Sequence, residues 1–356
     1  MDASRFVGTE PLAADSKIDV ARLHAYLKAN IEGCEGRLTV ERFRGGQSNP
    51  TMLLSFDGQR RLVLRKKPDG KLLPSAHAVD REFRVISALR DSDVPVAGAR
   101  LLCDDETIVG AMFYVMDFVE GRSFWAPSLP EQSPAERRAI YMEMNRVAAA
   151  LHNTDYKARG LESFGKPGDY VARQVARWSK QYRASETETI EAMERLIEWL
   201  PDNIPPETRT SLIHGDFRID NMLFHPSEPR VVALVDWELS TLGEPMADFA
   251  YHMLTWRLPN KPYRGLGDLD IAALGIPDER GYRDTYFKAT GQEGVSDRHW
   301  YAYLAYSLFR VAGIRQGIMK RVVDGNAASA HAREAGALAR PVAELGWQYA
   351  ELAMKS

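Results

Sequence analysis

The sequence predicts an α+β fold of two lobes, a small antiparallel-sheet N-lobe and a larger, mainly helical C-lobe. Strand-like segments dominate the chain up to about residue 119, and long helical periodicities begin near residue 133. Short strand signals return only between about residues 212 and 235, inside the helical part. The 356 residues are enough for two such lobes, each with a core of its own.

The front part combines one helix with a set of antiparallel strands. Residues 18–31 have the apolar spacing of an amphipathic helix. Asp57-Gly58 predicts a tight hairpin turn, because glycine accepts a positive φ. A further helix is predicted over 79–90. The predicted strands are 38–43, 51–56, 61–66 and 110–119.

The back part is helical, with its few strands close to the polar motifs described below. The predicted helices are 133–153, 169–185 and 187–200, and strands are predicted near 212, at 222–224 and at 231–235. The resulting divisions are an N-terminal arm, an N-lobe, a hinge and a C-lobe, at residues 1–17, 18–115, 116–122 and 123–356.

Composition narrows the possible partners. A net charge of −3 at pH 7 gives no basic footprint, so we expect no nucleic-acid partner. Two cysteines are too few for a disulfide scaffold, which fits a reducing cytoplasm. The first residues do not form a signal-peptide pattern, and no stretch approaches the ~18 apolar residues of a spanning helix. We expect a cytoplasmic protein with a small-molecule substrate and no membrane partner.

The run from His214 to Asn221 carries the main chemical signal. Asp216 can accept a hydrogen bond from a hydroxyl group, and Asn221 follows five residues later. The amide oxygen of Asn221 suits Mg²⁺, a hard cation that prefers oxygen ligands. Taken alone, the run could equally form a polar turn.

Asp236 completes the pattern with a second carboxylate. It directly follows residues 231–235, five apolar residues that predict a strand buried on both faces. A carboxylate there is costly unless a cation compensates it, and a metal ion is one such cation. With Asp216 and Asn221, this set is the one that ATP-dependent phosphoryl transfer uses.

Glu82 adds a predicted ion pair. It falls on the apolar stripe of the 79–90 helix, so its buried carboxylate needs a cation. Kinases pair a strand cation with a helix Glu to position the phosphates of ATP. Alternation along the strand places Arg65 and Lys67 on one face and Lys66 on the other, so the partner stays open among these three.

Two further segments could contact a nucleotide. The turn that contains Gly46, Ser48 and Asn49 could let backbone N–H groups approach phosphates, although any hairpin might contain such glycines. Met116 and its neighbours are predicted to form a strand. This strand could cover an adenine ring, or it could be an ordinary buried strand.

These motifs together resemble the aminoglycoside phosphotransferase and choline kinase family, which has a protein-kinase-like fold. The resemblance covers about residues 18–340, and the segment 70–83 is similar to the kinase-like domain fused in some eukaryotes to an acyl-CoA dehydrogenase. Bacteria have stand-alone versions of that domain. The motifs that carry the resemblance are His214-Gly215-Asp216…Asn221, Val235-Asp236-Trp237-Glu238 and Gly243-x-Pro245-x-x-Asp248.

The resemblance implies a role for each candidate residue. It implies that Asp216 is the catalytic base, that Asn221 and Asp236 bind magnesium, and that Glu82 is the helix Glu of the ion pair. It places 46–49 over the phosphates and the backbone of Asp117 and Val119 against adenine. It also favours Arg65 at the usual lysine position, a departure in geometry because a guanidinium is a planar fork.

The acceptor is the least constrained part of the prediction. An aminoglycoside is a polycation and needs carboxylates, whereas the helix over 301–321 carries Arg310, Arg315 and Gln316. If these side chains face the acceptor, it is anionic, such as a hydroxy acid or its coenzyme A thioester. The alternatives are an aminoglycoside or amino-alcohol kinase and a catalytically silent nucleotide-binding scaffold. ATP and GTP are not distinguished.

Overall fold

The computed structural model describes residues 8–13, 16, 18–44, 49–68, 78–326 and 331–356. Its strands are β1 (Thr9–Pro11), β2 (Leu38–Phe43), β3 (Thr51–Phe56), β4 (Arg60–Lys66), β5 (Ala99–Cys103), β6 (Phe113–Asp117), β7 (Ser211–Ile213), β8 (Met222–Phe224), β9 (Val231–Leu234) and β10 (Thr241–Gly243). Its helices are α1 (Val20–Asn30), α2 (Val79–Ala88), α3 (Glu106–Val109), α4 (Pro134–His152), α5 (Tyr170–Ser185), α6 (Glu191–Asn203), α7 (Pro245–Met253), α8 (Asn260–Tyr263), α9 (Ile271–Leu274), α10 (Glu279–Thr290), α11 (Asp297–Val323), α12 (Ala332–Ala337) and α13 (Ala339–Lys355).

The described chain forms two compact units. The first contains the described residues up to Trp125, together with Lys157–Leu161 and Ile219–Ser240. The second contains Ala126–Tyr156, Glu162–Arg218 and the described residues from Thr241 onward. The large sheet belongs to the first unit and the long helices to the second, which confirms the predicted α+β class. The predicted lobe and hinge boundaries stay predictions.

The first unit is built on a six-stranded antiparallel sheet in the order β1-β2-β3-β4-β6-β5. β3 and β4 pair from Thr51↔Arg65 to Phe56↔Arg60, so the predicted Asp57-Gly58 hairpin is confirmed. Gly58 has φ +70°, a conformation that favours glycine. Strand β1 was not predicted, and it pairs with residues 41–43 of β2. Its Pro11 is tolerated because an edge strand can lack one N–H.

The pleat of β4 separates the core of this unit from its polar face. Leu54 and Leu64 are 0% exposed and pack with Leu23 and Leu27 of α1 in one apolar cluster. Side chains alternate along a strand, so Arg65 points to the opposite face from Leu64. That face carries α2 and therefore Glu82.

The second unit is organised around α11, whose Tyr303, Leu308 and Phe309 are 0% exposed. Ser133 and Glu136 form a capping box that fixes the start of α4. Strands β7 and β10 pair antiparallel, with Ser211 opposite Gly243 and Ile213 opposite Thr241. The loop that begins at His214 directly follows β7 of this ribbon. None of the described helices has the length and apolarity needed to cross a membrane.

Candidate functional site

The hairpin of β8 and β9 brings two predicted oxygen donors of the first unit to the same end. Asn221 lies just before β8, Asp236 lies two residues after β9, and the Val235 N–H donates to the Asn221 carbonyl oxygen at 2.9 Å. Asp236 has φ +68°, a left-handed conformation that is uncommon outside glycine. A residue other than glycine keeps this conformation only where its surroundings hold it in place.

Arg65 bridges the helix carboxylate and the Asp236 carboxylate. Its Nε lies 3.0 Å from Glu82 Oε2, and its Nη2 donates to Asp236 Oδ1 at 2.7 Å. Glu238 Oε2 lies 4.0 Å from the same Nη2. Burial alone would lower the pKa of Arg65, but Glu82, Tyr114 and Asp236 outweigh it and raise that pKa. The guanidinium therefore stays charged, and the open choice of cation is settled for Arg65.

The remaining contacts of Glu82 complete this buried network. Its carboxylate is 1% exposed and accepts hydrogen bonds from Asn49 Nδ2 at 2.8 Å and from Tyr114 Oη at 3.1 Å. Lys66, on the opposite face, donates to the Val109 carbonyl oxygen at 3.2 Å. Lys67 lies 3.8 Å from Asp80.

The predicted nucleotide-covering residues are only partly described. Gly46 and Ser48 lie outside the described residues. Met116, Asp117 and Val119 are half-buried at and just after the end of β6. The Asp117 N–H donates to the Gly98 carbonyl oxygen at 2.9 Å, and its carboxylate pairs with Arg100. Contacts of these residues and of Asn49 with a nucleotide stay predictions.

In the second unit, Asp248 fixes the backbone that carries Asp216. Its carboxylate is 1% exposed and accepts the N–H groups of His214 at 2.9 Å and of Gly215 at 2.8 Å. His152 Nε2 lies 3.2 Å from the same carboxylate. Gly215 has φ +82°, which strongly favours a glycine there. Burial alone would raise the pKa of Asp248, but His152, His214 and these N–H groups lower it, so it stays ionised.

Asp216 is held as an anion. Tyr251 Oη donates to its Oδ1 at 2.8 Å, and Arg218 Nε lies 3.4 Å from that same oxygen. Burial alone would raise the pKa of Asp216, but Arg218, Tyr251 and more distant positive groups outweigh it and lower that pKa. The carboxylate is 23% exposed and ionised at neutral pH, as a proton acceptor needs to be.

The three predicted acceptor-binding residues of α11 contact different parts of the second unit. Arg310 is 7% exposed and donates to the Gly215 carbonyl oxygen at 2.6 Å. Gln316 is 1% exposed and donates to Thr187 Oγ1 at 2.7 Å. Arg315 donates to the Ala335 carbonyl oxygen at 3.1 Å, and its guanidinium lies 5.7 Å from the Tyr263 ring.

Two further arginines contribute positive charge near Arg315. Its pKa is lowered by burial first, and also by the nearby guanidinium groups of Arg218 and Arg264. Neither of those arginines was predicted as a site residue from the sequence, and Tyr251 was not predicted either. Tyr251 follows Asp248 by three residues on α7, so helical spacing could have placed it on the same face. Arg264 lies after the short helix α8, where no periodic signal exists.

The comparisons with known proteins agree with the resemblance that the motifs indicated. The model of a family described as "Phosphotransferase enzyme family" (APH) matches residues 39–289. Acyl-CoA dehydrogenase family member 10 of Mus musculus is 47% identical over 345 residues, covering 96% of this chain and 32% of the mouse protein. Acyl-CoA dehydrogenase family member 11 of Homo sapiens is 41% identical over 338 residues, covering 93% of this chain and 43% of the human protein. The chain spans less than half of either relative.

Two solved structures show the same fold. The first is a protein of Ralstonia eutropha that was provisionally named an aminoglycoside phosphotransferase. It is 54% identical, with a TM-score of 0.86, and the match covers 94% of this chain and 98% of that one. The second is a thermostable mutant of aminoglycoside phosphotransferase APH(4)-Ia in a ternary complex with AMP-PNP and hygromycin B. It is 14% identical, with a TM-score of 0.60 and coverage of 92% and 98%.

Proposed function

Since the chain belongs to the phosphotransferase enzyme family, we propose that it is an ATP- and Mg²⁺-dependent kinase for a small hydroxylated molecule that carries negative charge. The family supports a kinase-type activity on a small molecule. The observation that carries the finer proposal is the β8–β9 hairpin. It sets the Asn221 and Asp236 donors at one end, and Asn221 lies five residues along the chain from an ionised Asp216.

The chemistry of the donors fits magnesium. Mg²⁺ in kinase sites takes one or two protein oxygens and completes its shell with phosphates and water. Asn221 and Asp236 offer one amide oxygen and one carboxylate. Among the described residues no three His, Cys, Asp or Glu side chains form a metal-binding group. When bound, Mg²⁺ neutralises charge on the β- and γ-phosphates.

The chain's own residues would perform the transfer as follows. Asp216 accepts a hydrogen bond from the acceptor hydroxyl, orients its oxygen and takes its proton as the new O–P bond forms. The bond between the γ-phosphorus and the β–γ bridging oxygen breaks, and ADP leaves. Arg65, held by Glu82 at 3.0 Å, presents a planar fork that suits the α- and β-phosphates.

The positive charge near Asp216 supports an anionic acceptor. Arg218 and Arg264 both act to lower the pKa of Arg315, and a bound anion would offset their repulsion of the Arg315 guanidinium. A carboxylate or a coenzyme A phosphate supplies such an anion, so a hydroxy acid or a hydroxyacyl-CoA fits. A polycationic aminoglycoside would meet repulsion instead. The acyl-CoA dehydrogenase names of the longer relatives agree with a thioester acceptor.

The test is a screen of ADP release. The purified chain is incubated with MgATP and four pools: hydroxy acids, hydroxyacyl-CoA thioesters, amino alcohols and aminoglycosides. We expect stimulation only by the first two, complete loss with EDTA, and recovery on adding Mg²⁺. Stimulation by aminoglycosides alone would contradict the anionic acceptor. If MgATP raised the melting temperature and no pool stimulated ADP release, the silent scaffold would be the better description.

A further inference from the structure

We propose that Tyr251 is a positioning residue for Asp216, an inference that rests on the proposed role of Asp216 as the base. The Tyr251 hydroxyl donates to Asp216 Oδ1 at 2.8 Å, and Arg218 approaches the same oxygen at 3.4 Å. Contacts on one oxygen fix the rotation of a carboxylate about its Cβ–Cγ bond. The Tyr251 hydrogen bond therefore helps to set the orientation of the second oxygen.

Helix α7 contacts the loop that begins at His214 at two points. Asp248 accepts the backbone N–H groups of His214 and Gly215, directly before Asp216. Tyr251, three residues further along α7, holds the Asp216 side chain itself. Residues three apart on a helix lie on the same face, so one rigid element fixes both the backbone and the carboxylate.

Arg310 in turn fixes the Tyr251 ring. Its guanidinium lies 4.8 Å from the ring centroid, a cation–π distance, and its Nη2 donates to the Gly215 carbonyl oxygen at 2.6 Å. Arg310 is 7% exposed, so these contacts are shielded from water. The ring is thus held against the same loop whose carboxylate its hydroxyl contacts. We assign Arg310 to this support.

The Tyr251 hydroxyl keeps its proton at neutral pH and so remains a donor. Burial first and the charge of Asp216 second raise its pKa above the ordinary value. A neutral donor to a carboxylate stabilises the anion, so it lowers the basicity of Asp216 while fixing its direction. For a base that mainly orients a hydroxyl, the orientation of the carboxylate affects the rate more than its pKa does.

The first test measures the pKa of the Asp216 carboxyl group without any acceptor. ¹³C-labelled aspartate is followed by NMR against pH, and Asp216→Asn identifies the signal. In Tyr251→Phe we expect the pKa of Asp216 to rise by about one unit, since a hydrogen bond to a charged group is lost. The matched control is Tyr141→Phe, which removes a buried hydroxyl that donates to the Pro127 carbonyl oxygen at 2.7 Å. An unchanged pKa in Tyr251→Phe would overturn the inference.

The second test separates positioning from folding. With water as the phosphate acceptor, the rate of ADP release from MgATP should fall about tenfold or more in Tyr251→Phe, with KM for MgATP unchanged. Tyr141→Phe should lose stability and keep its rate. Equal rates in the two variants would also overturn the inference. The pKa measurement needs no turnover, so an unchanged pKa would count against the role of Tyr251 alone. The proposed reaction is tested separately by the turnover of Asp216→Asn.

Discussion

At the scale of single residues, the site depends on charges held by more than one partner. Arg65 contacts both Glu82 and Asp236 through separate nitrogens of one guanidinium. Lysine has a single ammonium group and cannot present two nitrogens along fixed directions. The arginine therefore holds a predicted metal ligand and the helix carboxylate at the same time.

Two substitutions of Arg65 should therefore show what its contacts with Glu82 and Asp236 contribute to the free energy of unfolding. We expect Arg65→Lys to lower the free energy of unfolding by about 1–2 kcal/mol, because one charged contact is lost. Arg65→Met should cost about 3–5 kcal/mol, because Glu82 is then buried without its cation. The control is Arg61→Lys on the same strand, whose exposed pair with Glu120 should change stability by less than about 0.5 kcal/mol. Urea unfolding measures all three, and equal losses for the two lysine variants would contradict the bridging role.

His252 should make stability depend on pH. Burial lowers its pKa from 6.5 to about 4, although Asp248 opposes this. Between these values the unfolded chain binds a proton that the folded chain does not, so stability falls as pH drops from about 6.5 to 4.

The expected loss over this window is on the order of 3 kcal/mol. Urea unfolding of His252→Gln should lack this slope, whereas His331→Gln, at a histidine whose side chain is 48% exposed, should keep it. A wild-type slope in His252→Gln would assign the pH dependence to other groups.

At the scale of elements, short pieces of chain position the site. Strands β2, β3 and β4 could be predicted because a hairpin dipeptide and clear alternation mark them. Strand β1 could not, because three residues ending in proline carry no periodicity and depend on pairing with β2. Alternation alone could not choose Arg65 over Lys67, since both share a face. β4 ends at Lys66, so only Arg65 lies within the strand.

The Asp248 carboxylate on α7 should hold the loop that follows β7 in one conformation. In Asp248→Asn one acceptor oxygen becomes an amide donor that faces a backbone N–H, so we expect a loss of about 3 kcal/mol in the free energy of unfolding. The amides of His214 and Gly215 should exchange with deuterium much faster than in the wild type. Asp284→Asn on the exposed face of α10 serves as the control. Wild-type exchange at both amides in Asp248→Asn would show that this carboxylate does not hold the loop.

At the scale of the whole molecule, contacts join segments that are distant in sequence. Ile219–Ser240 belongs to the first unit, although the chain has already passed through much of the second. A prediction from sequence divides the chain into consecutive segments. It therefore could not place a later segment in the first unit. The motifs were nevertheless predictable, because Asp216, Asn221 and Asp236 each have a local pattern of polar residues next to apolar strands. Helical spacing from Asp248 could have indicated Tyr251, whereas Arg218 and Arg264 required three-dimensional contacts.

The most direct measurement compares the wild type with Asp216→Asn in phosphate transfer and in MgATP binding. Transfer is followed by ³¹P NMR with the acceptor found in the ADP-release screen, and binding is measured by calorimetry with Mg²⁺ and AMP-PNP. We expect Asp216→Asn to lose transfer by at least about 100-fold while its affinity for the nucleotide stays nearly unchanged. Normal turnover in Asp216→Asn with the true acceptor would contradict the account.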